Sequence, residues 1–490
     1  MSGLNKDVIL LILEELKNDI PSLYSCLLVN RFWCEITAPI LWKNPFNKRR
    51  KITVNARKIL FNVILSHLSE ESRDYLKIQG IDLFKAYRRP LFNYIGFWRH
   101  LNLRFLEYIM KYCVTNFELS KKLLIGNEIM KLFVTGDSKF VSLTILGINL
   151  CLISGTERCF SELEHFNCGF DINSNILERL ATTSTSIKKL SFNVHTNNSG
   201  IVRLIEAQKN LKKVNFINYS NGVNKLQCKS LEASLIKCVD TIRYVRIDWI
   251  PVTRFLSYLV NLVSLEIKTT YNASWNHLVN VNNLVNISLP YLKFLKAQSI
   301  PSNILANLIE NTKGCLIRIS ILNRTNDLNR AENDKKLIQK IYQNCPNLNY
   351  LKLRLSDNEF SEFENLLINC QSLIGLEIVG YNTEWDRFFK ILKFSQINLF
   401  KFKFTAYVHI WEHKFEHLKL FLNDWKGRQP MLLHIITIRN LLRPIGLQQQ
   451  QHEQQELRQR LKGLLQEHKV GGIIKRFDVD RNDFREFEWI

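Results

Sequence analysis

The sequence is poor in residues that interrupt regular secondary structure, with 18 glycines and 10 prolines among 490 residues. This scarcity excludes collagen-like and proline-rich architectures. Long apolar runs are also missing: none reaches about 18 residues, so we expect no membrane-spanning helix. Asp7, Glu14 and Glu15 interrupt the first apolar stretch, which argues against a signal peptide.

The cysteines lack the pattern of a disulfide framework. There are eleven of them, an odd number, scattered along a long chain without any Cys-x-x-Cys pair. Disulfide-rich folds are usually short and dense in cysteine. We therefore expect reduced thiols and a cytoplasmic or nuclear location.

Acidic side chains are few relative to basic ones. Asp and Glu total 45 against 67 Lys and Arg, a net charge of +22. A surplus of this size favours acidic partners, which include nucleic acid, anionic lipid and acidic protein segments, and composition does not choose among them. Residues 47–135 hold 17 of the basic and 7 of the acidic side chains.

A strand-like triplet, apolar-x-x-apolar-x-apolar, recurs from about residue 136 to residue 440. Its starts are 20 to 32 residues apart, close to the period of about 20–29 residues in leucine-rich repeats. The copies are Phe140/Leu143/Ile145, Leu163/Phe166/Cys168, Ile187/Leu190/Phe192, Leu211/Val214/Phe216, Ile242/Val245/Ile247, Leu262/Leu265/Ile267, Leu284/Ile287/Leu289, Leu316/Ile319/Ile321, Leu348/Leu351/Leu353, Leu373/Leu376/Ile378 and Leu399/Phe402/Phe404. Two outlying candidates are Leu433/Ile436/Ile438 and Ile474/Phe477/Val479.

These triplets predict an α/β fold. One short strand with one helix cannot bury its apolar face alone, so the units stack into a curved solenoid with a parallel sheet on the concave face. Cys345 and Cys370 each lie three residues before the first leucine of a triplet. In this the chain resembles cysteine-containing leucine-rich repeats.

The first 46 residues read as two or three short helices with more apolar surface than they can bury. Their motifs are Leu4-x-x-Asp7-Val8-x-Leu10-x-Ile12-x-x-x-Leu16, Leu27-Leu28-Val29-Asn30-Arg31-x-Trp33 and Ile40-Leu41-Trp42. Residues 4–46 thereby resemble an F-box domain, with Asn5 where that family usually has proline.

The resemblance implies a substrate receptor of SCF-type cullin–RING ubiquitin ligases, in which the F-box binds the Skp-family linker subunit. It implies no catalysis on this chain and no cofactor or metal. The residues that would form the F-box core or its linker-facing surface, two roles that the sequence does not separate, are Leu4, Val8, Ile12, Leu16, Leu27, Val29, Trp33 and Trp42. The alternative is a leucine-rich-repeat interaction scaffold without ligase association.

The residues between the inward positions of each triplet should face the concave side of the sheet. They carry more basic than acidic side chains, which favours an acidic or phosphorylated protein substrate; a merely solvated face is the alternative. The candidate substrate-binding residues are Lys189, Lys213, Asn215, Tyr244, Arg246, Arg318, Tyr350, Lys352, Lys401 and Lys403. We favour a protein partner over nucleic acid, because the sequence contains no motif of a known nucleic-acid-binding fold.

Two further segments have competing interpretations. His409, His413 and His417 are spaced like zinc ligands, but we favour an amphipathic helix that buries Trp411, Phe415 and Leu418. A Gln-rich stretch begins at 448, and we favour a mobile surface insertion over a partner helix. The predicted regions are an F-box domain (1–46), a basic helical connector (47–135), an irregular solenoid (136–440) and a Gln-rich tail (441–490).

Overall fold

The fold is described from a computed structural model, in which the chain divides into two compact units, Met1–Thr241 and Ile242–Ile490. Each unit is described by itself. The structure describes residues 5–45, 53–83, 90–134, 138–145, 156–169, 172–194, 199–218, 224–269, 283–323, 330–380, 383–439 and 447–481. The predicted basic cluster at residues 48–51 lies outside these ranges.

The first unit begins with helices and continues as a parallel sheet with helices between its strands. Its helices are α1 (Lys6–Glu15), α2 (Ile20–Leu27), α3 (Arg31–Trp42), α4 (Val54–Leu65), α5 (Glu70–Ile78), α6 (Leu103–Cys113), α7 (Leu119–Phe133), α8 (Thr156–Cys159), α9 (Ser174–Thr183), α10 (Ser199–Glu206) and α11 (Lys225–Ile236). Its strands are β1 (His100–Asn102), β2 (Ser142–Ile145), β3 (His165–Cys168), β4 (Lys189–Asn193) and β5 (Lys213–Ile217). Each strand pairs in parallel with the next in chain order.

The second unit repeats the same strand-and-helix plan. Its strands are β6 (Tyr244–Ile247), β7 (Ser264–Lys268), β8 (Phe294–Gln298), β9 (Arg318–Leu322), β10 (Tyr350–Arg354), β11 (Gly375–Val379), β12 (Lys401–Tyr407), β13 (Met431–Ile438) and β14 (Ile474–Arg481). They also pair in parallel and in chain order. Its helices are α12 (Ser302–Glu310), α13 (Arg330–Asn344), α14 (Phe360–Asn369), α15 (Trp385–Lys393), α16 (Val408–His413), α17 (Phe415–Asp424) and α18 (Leu447–Val470).

Ten of the eleven predicted triplets coincide with strands of this ladder, which confirms the leucine-rich-repeat solenoid. In β4, for example, Leu190 and Phe192 are buried while Lys189 between the inward positions is exposed. Successive side chains of a strand point to opposite faces of the sheet, which produces this alternation. Cys345 and Cys370 are fully buried before β10 and β11, so each fills core space at the end of a helix.

One predicted triplet, Leu284/Ile287/Leu289, does not form a strand. Its residues are buried, but Leu284 lies in a turn and Ile287 and Leu289 lie in the irregular segment after it. Asn286 has a φ of 57° that breaks an extended conformation. The strand is β8, whose inward residues are Leu295 and Ala297, and the buried Leu292 before it completes the triplet. Alanine at the third position weakened the apolar pattern, and the predicted phase of this repeat was therefore wrong.

Two other strands differ from the sequence expectation. The first strand, β1, lies inside the range 47–135 that was predicted as a connector. In β13 the register pairs Leu433 and Ile435 with the inward residues of β12, whereas the triplet had used Ile436. Ile435 and Ile436 are both buried. A strand that is apolar on both faces has no alternation from which the phase can be read.

The Gln-rich stretch is not the mobile insertion that we favoured. It forms the 24-residue helix α18 and is followed by β14, so together they complete the last repeat. Leu457, Leu461 and Leu465 are fully or almost fully buried. The Gln454 amide donates 2.7 Å to the carbonyl of Thr437 at the end of β13. No helix within the described ranges is long and apolar enough to cross a membrane.

The packing of α18 can be tested with one buried and one exposed position. We expect Leu461→Ala to lower the free energy of unfolding by about 2–5 kcal/mol, because it leaves a cavity. Val470→Ala on the same helix, where the side chain is 81% exposed, should change it by less than about 0.5 kcal/mol. Chemical denaturation followed by circular dichroism measures both. Equal stabilities of the two variants would contradict the packed helix.

Candidate interaction surfaces

The helices α1, α2 and α3 form an N-terminal module with its own small core. Each helix starts at a side-chain cap: Asn5 accepts from the Asp7 amide, Asp19 from the Ser22 amide and Asn30 from the Trp33 amide. Such caps satisfy backbone donors that have no partner inside the helix. The buried residues of the core are Ile9, Leu13, Leu23, Cys26, Ile36 and Leu41.

An apolar surface remains exposed on this module. The exposed large apolar side chains of α1 are Val8, Leu11 and Ile12, which are 41%, 69% and 38% exposed. The spacing places these three residues on one side of the helix. The turn between α2 and α3 and the start of α3 add Leu28, Val29 and Phe32, which are 87%, 59% and 43% exposed. We call these six residues the N-terminal apolar surface.

The structure distributes the predicted linker-binding residues between surface and core. Val8, Ile12 and Val29 are exposed, whereas Leu16, Leu27, Trp33 and Trp42 are half-buried against the core. Leu4 lies outside the described residues. Leu11, Leu28 and Phe32 are exposed apolar residues that the sequence reasoning did not select. The signal for Leu11 was present, because it shares a helical side with Val8 and Ile12.

Trp42 has a contact that points to a structural role. Its ring centroid lies 4.5 Å from that of Tyr94, and the Tyr94 amide donates to His67 Nε2 at 3.1 Å. Burial, with a smaller contribution from Cys34, raises the pKa of Tyr94. One residue further, the Lys43 carbonyl accepts from the Arg99 amide at 3.0 Å. These contacts connect α3 to the segment that leads into β1.

The concave face of the first unit carries two rows of polar side chains. The strand register aligns His100, Ser142, His165, Lys189 and Lys213 in one row. It aligns Asn102, Thr144, Asn167, Ser191 and Asn215 in the second. No Asp or Glu is among these ten residues. The Asn215 amide donates to the Ser191 hydroxyl at 3.2 Å, so the second row is partly bonded to itself.

On the concave face of the second unit, by contrast, several cations pair with carboxylates of the same sheet. Glu266 on β7 lies between two cations: its Oε1 is 3.4 Å from Arg246 on β6 and 3.2 Å from Lys296 on β8. Its other oxygen accepts from the Tyr244 hydroxyl at 3.0 Å. Arg246 also pairs with Asp248 at 3.1 Å. The carboxylate thus has a cation on each neighbouring strand.

The same arrangement recurs four strands later. Glu377 on β11 pairs with Lys352 on β10 at 2.8 Å and with Lys403 on β12 at 3.7 Å. Its Oε2 accepts from the Tyr350 hydroxyl at 2.6 Å. Lys352 and Lys403 are only 7% and 1% exposed. We call the two arrangements, around Glu266 and around Glu377, the carboxylate clamps.

The clamps change the interpretation of the predicted substrate-binding residues. The hydroxyls of Tyr244 and Tyr350 and the charges of Arg246, Lys352 and Lys403 are directed to carboxylates of the sheet itself. Lys352 and Lys403 are buried, so they are not surface cations for a substrate. Five of the predicted residues stay accessible and outside the clamps: Lys189 is exposed, and Lys213, Asn215, Arg318 and Lys401 are half-buried.

In the second unit the register aligns Arg318, Tyr350, Gly375 and Lys401 in one row. Arg318 and Lys401 are the accessible cations among these four residues. The Arg318 guanidinium lies 5.6 Å from the centroid of the Phe294 ring, and the Lys401 ammonium lies 5.6 Å from that of Phe400. Burial, and secondarily the charge of Arg318, lowers the pKa of Lys401. The charge of Arg318 therefore acts on Lys401 across the two strands between them.

The histidine-rich segment forms two helices, α16 and α17, separated at Lys414. Trp411 and Leu418 are buried, as the amphipathic interpretation predicted, while Phe415 is half-buried. His409, His413 and His417 therefore do not share one continuous helix face. In the part of the chain that the structure describes, no group of three or more potential ligands is arranged to hold a metal ion.

Solved structures that are similar to this chain include two weak likenesses. No protein-family model and no curated protein matches the chain. The leucine-rich repeat-containing protein LegL7 from Legionella pneumophila aligns at 13% identity and TM-score 0.34, covering 64% of this chain and 89% of that one. The Rad7 and Elc1 complex in yeast aligns at 14% identity and TM-score 0.28, covering 74% and 90%. Likenesses this weak carry no functional argument, and the repeat fold rests on the strand ladder itself.

The clamp around Glu377 makes a testable contribution to stability. We expect Glu377→Gln to lower the free energy of unfolding by about 3–5 kcal/mol, because two buried ammonium groups lose their counter-charge. The control is Glu162→Gln, which breaks a surface pair with Lys139 whose side chains are both 54% exposed. It should cost less than about 1 kcal/mol. Denaturant titration measures both, and similar small losses would show that the clamp is not a buried charge cluster.

Proposed function

We propose that this chain is a substrate-recognition adaptor of an SCF-type cullin–RING ubiquitin ligase. In this proposal the N-terminal module, residues 4–46, is an F-box that docks on the Skp-family linker subunit, and through it on the cullin. The leucine-rich repeats hold a target protein. The alternative is a repeat scaffold that binds proteins without ligase association.

The observation that carries the proposal is the N-terminal apolar surface. Its six side chains are exposed although the helices that bear them already have a buried core. Exposed apolar surface on a small module marks an interaction site. The sequence motifs add that this surface lies on a segment resembling an F-box. A linker subunit that covers Leu11 and Leu28 would remove the most exposed apolar side chains of the module from water.

The proposed mechanism is proximity rather than chemistry on this chain. Holding a target near a ubiquitin carrier raises its effective concentration at the transfer site. The contacts of Trp42 and Lys43 with the segment before β1 support this role. They fix the end of α3 against the segment that leads into the repeats, which limits the positions that a bound target can sample. We propose a cytoplasmic or nuclear location; the ten cysteines among the described residues form no disulfide with one another.

Substitution of the N-terminal apolar surface tests linker docking directly. We expect a Leu11→Asp, Leu28→Asp variant to lose at least about 2 kcal/mol of binding to a purified Skp-family linker, about thirtyfold in affinity, because charges would enter an apolar interface. Both side chains are exposed, so the fold should be retained. Isothermal titration calorimetry measures the affinity, and thermal unfolding confirms the fold.

The control carries the same change on exposed leucines elsewhere. Leu226→Asp with Leu420→Asp alters side chains that are 73% and 61% exposed on α11 and α17. This variant should bind the linker like the unchanged chain. If the unchanged chain binds no linker, the scaffold alternative is favoured. If the Leu11→Asp, Leu28→Asp variant binds as tightly as the unchanged chain, the docking surface lies elsewhere.

A further inference from the structure

The two rows on the concave face of the first unit, ten described residues, differ from the face of the second unit in containing no Asp or Glu. The first row contains His100, His165, Lys189 and Lys213 and the second row is neutral. Glu164 is the acidic residue adjacent to the row, and its Oε1 lies 2.6 Å from Lys188 Nζ. In the second unit, by contrast, Glu266 and Glu377 each neutralise cations of the neighbouring strands.

Two histidines of this row, His100 and His165, have pKa values below the ordinary value of an imidazole. Burial, then the charges of His165 and Lys43, lowers the pKa of His100. Burial, then the charges of Lys189 and Lys188 against the opposing charge of Glu164, lowers the pKa of His165. Within the described residues, His165 Nδ1 is buried without a hydrogen-bonding partner. The unliganded face therefore disfavours the protonated imidazoles, and a bound anion would favour them.

We propose that this face, from His100 to Lys213, is the binding site for an extended acidic peptide segment of the target protein, and that binding tightens as the pH falls. The inference rests on the proposed function in naming the class of substrate, but the site is defined by this chain alone. Lys189 and Lys213 supply permanent charge on adjacent strands. His100 and His165 supply charge that depends on pH.

The dimensions and chemistry of the face favour a peptide. Five strands about 4.8 Å apart span about 19 Å, the length of roughly six residues of extended chain. The amides and hydroxyls of the second row can bond to peptide carbonyl and amide groups. Nucleic acid is disfavoured because neither row contains Phe, Tyr or Trp on which bases could stack. Carboxylates of Asp and Glu, or phosphate groups, would satisfy the basic row.

The direction of the pH effect follows from the groups that face each histidine. His100 faces His165 and Lys43, and His165 faces Lys188, Lys189 and Glu164. Cations outnumber the one carboxylate, so an acidic ligand raises both imidazole pKa values when it binds. Linkage then requires that affinity increase as the pH falls through the imidazole range.

A fluorescein-labelled octaglutamate peptide tests the site on the full-length chain. Fluorescence anisotropy at pH 7.5 and pH 6.0 measures affinity; glutamate stays largely ionised at both values, so the change reports on the protein. We expect about fivefold tighter binding at pH 6.0 for the unchanged chain. Lys189→Glu with Lys213→Glu should weaken binding by at least about tenfold at either pH.

The histidines and the control complete the test. His100→Gln with His165→Gln should bind like the unchanged chain at pH 7.5, within about twofold, and gain nothing at pH 6.0. Lys225→Glu with Lys229→Glu makes the same charge change on exposed positions of α11 and should alter affinity by less than about twofold. Circular dichroism verifies that each variant is folded.

Four outcomes would overturn the inference: no peptide binding by the unchanged chain, an equal loss in the α11 control, a pH dependence that survives the histidine substitutions, or tighter binding of a single-stranded octauridylate than of the peptide. Failure of the ligase proposal is distinguishable. A Leu11→Asp, Leu28→Asp variant should retain full peptide affinity, and a chain that binds the linker but not the peptide would refute this inference alone.

Discussion

The parallel register of the strands is the constraint on which the rest of the structure depends. Each repeat places its strand beside the previous one, so equivalent positions of successive repeats lie about 4.8 Å apart. The inward positions, such as Leu351, Leu376 and Phe402, join into one continuous core. The positions between them join into rows on the concave face. A charged side chain at one of these concave positions therefore lies next to the side chains at the same position of the neighbouring strands.

The two units use this constraint in opposite ways. In the second unit an acidic residue on one strand lies between basic residues on the strands before and after it, and a tyrosine hydroxyl binds its second oxygen. Removing one partner from such a buried group costs more than the group contributes when complete. The clamps therefore make the register of these strands costly to change. In the first unit the aligned positions are basic or neutral, and no Asp or Glu is among these ten described residues.

The N-terminal module is constrained instead by its size, which limits how much apolar surface it can bury. A domain of some forty residues has a high ratio of surface to volume. Its helices close a core around Ile9, Leu13 and Leu23 and leave Leu11 and Leu28 exposed. Exposed apolar surface of this kind marks an interaction site. The proposed division of labour, with one end for the linker and the repeats for the target, follows from these two kinds of surface.

The sequence by itself determined the repeats, their approximate spacing and the capped helical module, because apolar periodicity and capping residues act over a few neighbouring residues. It could not separate Val8 from Ile9 as surface and core, since both are apolar and only packing chooses between adjacent sides of a helix. It misplaced β8, whose alanine weakens the pattern. It also misread the Gln-rich helix, whose leucines are buried when the helix packs against α16, α17 and β14. Only the tertiary structure decided that Lys352 and Lys403 meet Glu377, because that pairing depends on which residues of separate repeats the register brings together.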